Sequence, residues 1–544
     1  MTPSPTDDAT PLRPLEAVGL LAIAALACLH VSRPIWTIDP FWQMAIGHVF
    51  WEGGALVQTD VFSAVDPDRP WRSFQVGYEL LCALADRIGG LPAMRGMHGA
   101  VLLTSFALFH HGLRRRLRWG PLASMVFLSV LLVLFEDRVS VRAHVFNLLG
   151  WSLLLPILLR GPEHLRRSDW IRTGVVVACW GWVHSGGAFV FAMAALSFPV
   201  GTGFHALVDA RVRSRFLPAL LFFACAFLPI LLSPNALHGI VQAASALEAV
   251  GNNNPEFRPS WYYFEIAEVW GHWVCGAFPL LTSALAIGIA MRCLMGLRQG
   301  KAEFLIRIER VGVTRVALAC ALLVASLHSA RFAYLSLFAL LALSPGLIGD
   351  PGWQIRRKTQ RALLVVALVG FVGMGWQFHI TAQAGTVEAT LERNFEGPDV
   401  EEARFPTLHA EFLRGTGFEG AIHCQPNWGG YLLWRLWPRA TVTADGRGSY
   451  AREVNDVLAY TYDRTHMQDA SSGPAVEAAY TRYATDAVVH QHPVWPQGHV
   501  PSPERWEQVF SDPRGAIWIR RDTPRGAAYL ENLTRARKTH SAVK

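Results

Sequence analysis

Charge is scarce in this chain: of 544 residues only 17% are Asp, Glu, Lys or Arg, against 51% apolar, and the mean hydropathy is +0.24. That balance excludes an ordinary soluble protein. Cysteine is present but unpatterned. None of the eight forms a CxxC pair, and Cys28, Cys179, Cys225, Cys293 and Cys320 lie in or beside apolar runs, so they read as small core residues, not as a zinc site or a disulfide framework. There is no internal repeat and no low-complexity tract. The first apolar run, Leu15 to Val31, lacks a basic n-region and a small-x-small cleavage site, and further runs follow it. It reads as a retained first helix, not a secretion signal. The formal net charge of +7 does not point to nucleic acid, because the basic residues cluster in short loops between apolar runs.

What is abundant is apolar sequence of bilayer length. A hydrocarbon core of about 30 Å takes roughly 17–25 residues per helix. Runs near 15–31, 96–113, 120–135, 144–160, 173–184, 188–204, 216–232, 274–292, 312–327, 332–348 and 362–379 give an α-helical polytopic membrane protein of about eleven transmembrane helices. The pair 173–184 and 188–204 is short and broken only by His184-Ser185-Gly186-Gly187; one long kinked helix is the alternative, and it would change the parity of everything after it. Charge arbitrates. With residues 1–14 cytoplasmic, the inner segments hold 22 Lys and Arg, whereas the outer loops up to residue 331 hold nine. Every inner loop is basic on both sides of the doubtful pair, which favours eleven spans and an outer C-terminal region. Trp36, Trp42, Trp51, Trp71, Trp261, Trp270 and Trp273 flank spans, as an interfacial aromatic belt would.

The transmembrane region thus covers 15–379, with a large first outer loop at 32–95 and an acidic linker at 380–404. The texture then changes. Short apolar runs at 420–424, 440–444, 486–490 and 516–519, separated by helical segments such as 429–437 and 451–463, predict an extracytoplasmic α/β domain over 405–522, with a basic disordered tail at 523–544.

Polar residues at span ends concentrate on the outer side. Loop one carries Asp39, Asp60, Asp66, Asp68 and Glu79. Further outer segments hold Glu136 to His144, with Arg138 and Arg142; His184-Ser185-Gly186-Gly187; Ser233-Pro234-Asn235; Asn252 to Arg258; and His328-Ser329-Ala330-Arg331. Taken singly, each reads first as a solvated loop end. Ionisable groups at membrane depth are costly unless they face a cavity or one another, so five such segments together point to a shared outward cavity.

Thr37-Ile38-Asp39-Pro40-Phe41-Trp42-Gln43, followed by Thr59-Asp60-Val61-Phe62-Ser63 and Trp71, resembles the first outer loop of a family of bacterial multi-pass membrane proteins that are similar to the GT-C glycosyltransferases. In that family the loop reads D-x-D-x-W-W-H-L-x-x-G, then D-x-F-S. Arg142, the His184 element, the Asn235 turn, Arg331, Trp428-Gly429-Gly430-Tyr431 and Asp445-Gly446-Arg447 extend the resemblance over about 35–520. This chain departs from the pattern at Thr37, at Gln43 in place of the histidine, and at Phe74-Gln75-Val76 in place of an H-E-W-like element. These changes weaken a paired-carboxylate metal site, and a divalent cation is the one cofactor the resemblance leaves open.

The resemblance implies a bacterial inner-membrane glycosyltransferase that moves a sugar from a polyprenyl-phosphate carrier to an extracytoplasmic glycolipid, polysaccharide or protein acceptor. Asp39, with Asp60 as fallback, would take the acceptor proton. Arg138, Arg142, Arg258 and Arg331 would hold the leaving phosphate. His144, His184, His328 and Asn235 would line the substrate site, each with a packing role as its alternative. The structural alternative for Asp39 is a cap on the helix that follows it. Asp445 and Arg447 read first as a tight turn, and otherwise as an acceptor-binding edge. The runner-up function, favoured by the departures, is a non-catalytic component of lipid-glycan assembly or transport that keeps the fold.

Overall fold

The computed structural model describes residues 14–542 apart from 242–269, 301–311, 349–361, 374–385, 448–472, 492–501 and several shorter stretches, among them 136–137 and 330–331. The chain divides into two compact units, Met1–Arg33 with Arg95–Gly397 and Pro34–Met94 with Pro398–Lys544.

The first unit is helical. It contains α1 (Pro14–Val31), the later part of α3 (Val76–Arg115), α4 (Pro121–Leu134), α5 (Val145–Leu158), α6 (Arg167–Ala195), α7 (Ser197–Val208), α8 (Phe216–Phe227), α9 (Trp270–Arg298), α10 (Val313–His328) and α11 (Leu335–Ile348). Its centre is aromatic: Trp151 on α5 is fully buried, with its ring 5.4 Å from Phe191 and 5.3 Å from Phe338. Its outside is apolar too, with Leu207 83% and Leu281 68% exposed. Such a surface is unfavourable in water and neutral in lipid, while the helices satisfy their own backbone groups. Among the described residues, Arg167–Leu207, Ala210–Leu232 and Trp273–Met291 are long and apolar enough to cross a membrane, and five shorter apolar helices accompany them. The stretch 173–204, which the sequence divides into two spans, is α6 followed directly by α7. Gly186 and Gly187 are helical, and the break falls at His184 (φ −154°, ψ 83°). Half of the last expected span, 362–379, lies outside the described residues.

The second unit joins the first outer loop to the C-terminal domain. It holds α2 (Asp39–Gly53), the start of α3, α12 (Thr407–Gly415), β1 (Gly420–Cys424), α13 (Pro426–Leu436), β2 (Ala440–Val442), α14 (Gly473–Arg482), β3 (Ala487–Gln491), β4 (Trp506–Asp512), β5 (Gly515–Arg520) and α15 (Pro524–Ala542). The sheet order is β2-β1-β3-β5-β4, with β2, β1 and β3 parallel and β5 antiparallel to both neighbours. β4 escapes sequence reading because Trp506-Glu507-Gln508-Val509 mixes polar and apolar positions, as suits an edge strand. The expected helical segment 451–463 lies outside the described residues.

Loop one is built into this sheet. Val442 N–H donates to the Phe62 carbonyl at 3.0 Å and Ala64 N–H to the Val442 carbonyl at 2.8 Å, so 62–64 runs along the β2 edge. Ile35 exchanges bonds with Asp399 (2.8 Å) and Glu401 (3.0 Å). Phe41 is fully buried among Phe405, Tyr431 and Trp434, with ring centroids 4.8, 5.0 and 5.6 Å away. Phe41, Trp42 and Trp71 are therefore core residues of this unit and not members of an interfacial belt. Within 523–544, expected to be a disordered tail, Pro524–Ala542 form α15, on which Tyr529 and Leu533 stand one turn apart and are both buried.

Candidate functional site

In the second unit Asp39 occupies the first turn of α2, just before Pro40, and is partly exposed. Proline fits there because the first-turn amides have no intrahelical partner. The N-cap residue is Ile38, so the capping position is not Asp39. Thr37 and Gln43, the two departures beside it, are buried. Gln43 Nε2 donates to Gln75 Oε1 at 2.9 Å. The positions where the resemblance expects an imidazole and a carboxylate thus face each other, and here they hold a neutral amide pair. The donor set fits a divalent cation poorly, since amides replace the imidazole and the carboxylate. Among the described residues no group of three or more His, Cys, Asp or Glu side chains converges as metal ligands would.

Three of the expected site residues meet in one buried cluster. Arg447 Nε donates to both Asp445 oxygens at 2.9 Å, and its Nη2 lies 2.6 Å from Asp445 Oδ2 and 2.6 Å from Asp60 Oδ1. Arg69 Nη2 donates to Asp60 Oδ2 at 2.8 Å. The Arg447 side chain is 6% exposed, Asp60 and Asp445 each 3%. Its guanidinium also lies 5.3 Å from the Phe62 ring centre and 5.1 Å from that of Trp71. Burial opposes the Arg447 charge, but Asp445 and then Asp60 more than offset it and hold the proton above its ordinary value. An Asp60 carboxylate hydrogen-bonded on Oδ2 by Arg69 and ion-paired on Oδ1 with Arg447 is suited to fastening more than to proton abstraction.

Glu79, a loop-one acid to which the sequence gives no role, is a titratable group whose setting only the fold reveals. It is buried, accepts a hydrogen bond from Ser73 Oγ, and burial pushes its carboxyl up to about 7 against the pull of Ser73 and Arg447. It lines a small cleft with Ile46, Phe50, Leu56 and Leu80. Nearby, His48 and Trp434 each bond Asp86 Oδ2, at 2.7 and 3.0 Å, and these bonds hold its carboxyl below the usual range despite burial.

In the helical unit the histidines at two of the outer segments come together. The His144 and His184 rings are 4.8 Å apart. His184 Nδ1 accepts from Gly187 N–H at 2.8 Å, which leaves Nε2 as the protonated nitrogen of the neutral ring. A side chain at position 187 would run into Asn147 Oδ1, which accepts from Trp180 Nε1 at 3.0 Å. The glycine therefore lets the broken helix close on α5, and Asn147 is a residue that sequence reading missed. Arg138 is buried and Arg142 half-buried in the segment leading into α5, where Arg142 N–H donates to the Ser140 carbonyl at 2.7 Å. Asn235 adopts a left-handed backbone (φ 58°) in the turn after Ser233. His328 ends α10 and is exposed. Arg258 and Arg331 lie outside the described residues.

No family model and no curated protein matches the chain. Among solved structures it is similar to the archaeal oligosaccharyltransferase AglB from Archaeoglobus fulgidus, in complex with an inhibitory peptide and a dolichol-phosphate. The TM-score is 0.52 at 12% identity, covering 88% of this chain and 69% of that one. A second likeness is to ArnT from Cupriavidus metallidurans bound to undecaprenyl phosphate, with a TM-score of 0.43 at 12% identity, covering 92% of this chain and 97% of that one. The chain has a GT-C-like fold: membrane helices followed by a C-terminal domain with a sheet.

Proposed function

We propose that the protein is a membrane glycosyltransferase that moves a sugar from a polyprenyl-phosphate carrier to an acceptor outside the cytoplasm. The observation that carries this reading is the fold it shares, over 88% of its length, with an oligosaccharyltransferase solved with a dolichol-phosphate. Fold alone does not specify chemistry, so the residues must supply it. Asp39 takes the proton of the acceptor hydroxyl as the new glycosidic bond forms and the sugar–phosphate bond breaks. Arg138 and Arg142, with Arg258 and Arg331, stabilise the growing charge of the departing polyprenyl phosphate. His184 donates through Nε2–H, with His144, Asn235 and His328 as further lining. No step is assigned to a metal. The Gln43–Gln75 pair supports the second reading, a non-catalytic component of lipid-glycan assembly that retains the fold.

The packing of loop one on the C-terminal domain supports a topology as well. Segments hydrogen-bonded into one sheet lie on one side of a membrane, so an even number of crossings separates Met94 from Pro398. With the first helix this makes the total odd, and the basic inner loops put the C-terminal domain outside. Alkaline phosphatase fused after residue 400 should be active and a fusion after Arg116 inactive; the reverse pattern would reject this orientation. The function is tested by mass spectrometry of lipid copurifying with the detergent-extracted protein. A polyprenyl phosphate, bare or sugar-loaded, is expected, and bulk phospholipid alone would count against the reading.

A further inference from the structure

We infer that Gly430 and Gly446 of the C-terminal domain are positioning residues for Asp39, an inference that rests on the catalytic role proposed above. A Cβ on Gly430 would lie 3.3 Å from the Ile38 carbonyl oxygen and 3.4 Å from Trp42 N. Those two atoms are related as acceptor and donor of the first helical bond of α2, the turn that carries Asp39. A Cβ on Gly446 would meet the Ile38 side chain at 3.0 and 3.1 Å and Trp42 Cδ1 at 3.3 Å. Two bare backbone surfaces of the C-terminal domain therefore form the seat on which the Asp39 turn rests. Their spacing is fixed in turn, because Gly429 packs directly under Ala444 and Asp445 at the end of β2. The Asp60–Arg447–Asp445 cluster fastens the same loop one residue from Gly446, and the caged Phe41 ring fixes the other side.

A general base acts only when its oxygen is held close to the proton it takes, and a displacement near 1 Å costs on the order of a hundredfold. Phe41, two residues after Asp39, is caged by three aromatic residues that follow residue 400. The W-G-G-Y and D-G-R motifs of the C-terminal domain thus acquire one common task. The domain is part of the transfer apparatus, not only an acceptor-binding appendage.

The test uses full-length Gly446→Ala, Ile38→Val, the double variant and Asp39→Asn. Each purified protein is given total lipid extract of the expressing cells, and consumption of polyprenyl-phosphate-linked sugar is followed by mass spectrometry. Amide exchange over residues 38–43 is measured in parallel. Gly446→Ala should lower maximal turnover about tenfold with little change in the lipid concentration for half-maximal rate, and should speed exchange over 38–43. Ile38→Val removes the nearer of the two Ile38 atoms that an added Cβ would strike, so the double variant should recover part of both effects. Unchanged turnover in Gly446→Ala, or a loss that Ile38→Val fails to rescue while Asp39→Asn is inactive, would overturn the positioning role. Normal turnover by Asp39→Asn would overturn the catalytic reading itself, and this role with it, whatever exchange shows.

Discussion

The two units of this protein solve the problem of burial in opposite ways. The helical unit centres on large apolar side chains and shows apolar ones outside: Trp151 and Phe338 fill its centre while Leu207 and Val324 stand exposed. The loop-one and C-terminal unit places charge in its interior, with Asp60, Asp445 and Arg447 nearly inaccessible. In lipid, helices need no hydrophobic reward to keep their backbone bonds, and packing of large side chains decides the arrangement. In water, a 61-residue loop joined to a remote domain must be held by specific ties, and a fully paired charge cluster supplies register as well as energy. The difference teaches where each unit is fragile: the first to lost volume, the second to lost pairing.

The sharpest way to break that contrast is at Arg447. Arg447→Met leaves two buried carboxylates short of a partner, and should destabilise the protein by about 3–5 kcal/mol in denaturant or thermal unfolding. Arg535→Ala, which removes an exposed pair with Glu531 at 2.8 Å, should change stability by well under about 1 kcal/mol. Equal effects would show that burial of the cluster is irrelevant.

Glu79 gives the next effect. Its carboxyl, pushed up to about 7, binds more protons in the folded than in the unfolded chain, where the ordinary value of 4.5 applies. Stability should therefore fall as pH rises through the window from 4.5 to about 7, by up to roughly 3 kcal/mol. Glu79→Gln cannot ionise and should flatten this dependence, leaving the variant more stable than the native protein at pH above 7 and similar to it below 4.5. A slope unchanged by the substitution would assign the titration elsewhere.

In the helical unit the expected effect falls on ligand and not on fold. Arg142→Ala should weaken binding of a fluorescent polyprenyl phosphate by about tenfold to a hundredfold, as loss of a charge-assisted bond worth about 1.5–3 kcal/mol implies. Arg142→Lys should recover only part, because an ammonium lacks the guanidinium fork. Unaltered affinity in Arg142→Ala would remove this residue from the site.

How much of this was legible in the sequence follows the same division. Helix positions such as Pro121–Leu134 and Val145–Leu158 announce themselves, because a continuous apolar run is a local signal. So does the turn at Asp445, whose Oδ1 accepts from Arg447 N–H at 2.8 Å. The Asp60–Arg447 pair, the Gln43–Gln75 bond and the Phe41 cage join residues far apart in the chain, and no local pattern encodes such partners. That is why Asp60 reads as a second base from sequence and as a fastening in the structure. The kinked helix at His184-Ser185-Gly186-Gly187 stands in the sequence only as the alternative for another reason: two glycines suggest a loop, whereas here Gly187 gives Asn147 room against a helix.

The most direct test of the account is the turnover of Asp39→Asn. The substitution keeps the size and hydrogen-bonding oxygen of the side chain but removes the base. The protein should fold, retain bound polyprenyl phosphate and lose on the order of a hundredfold or more in sugar transfer from the cell's own lipid extract. Transfer by Asp39→Asn at close to the native rate would contradict the assignment.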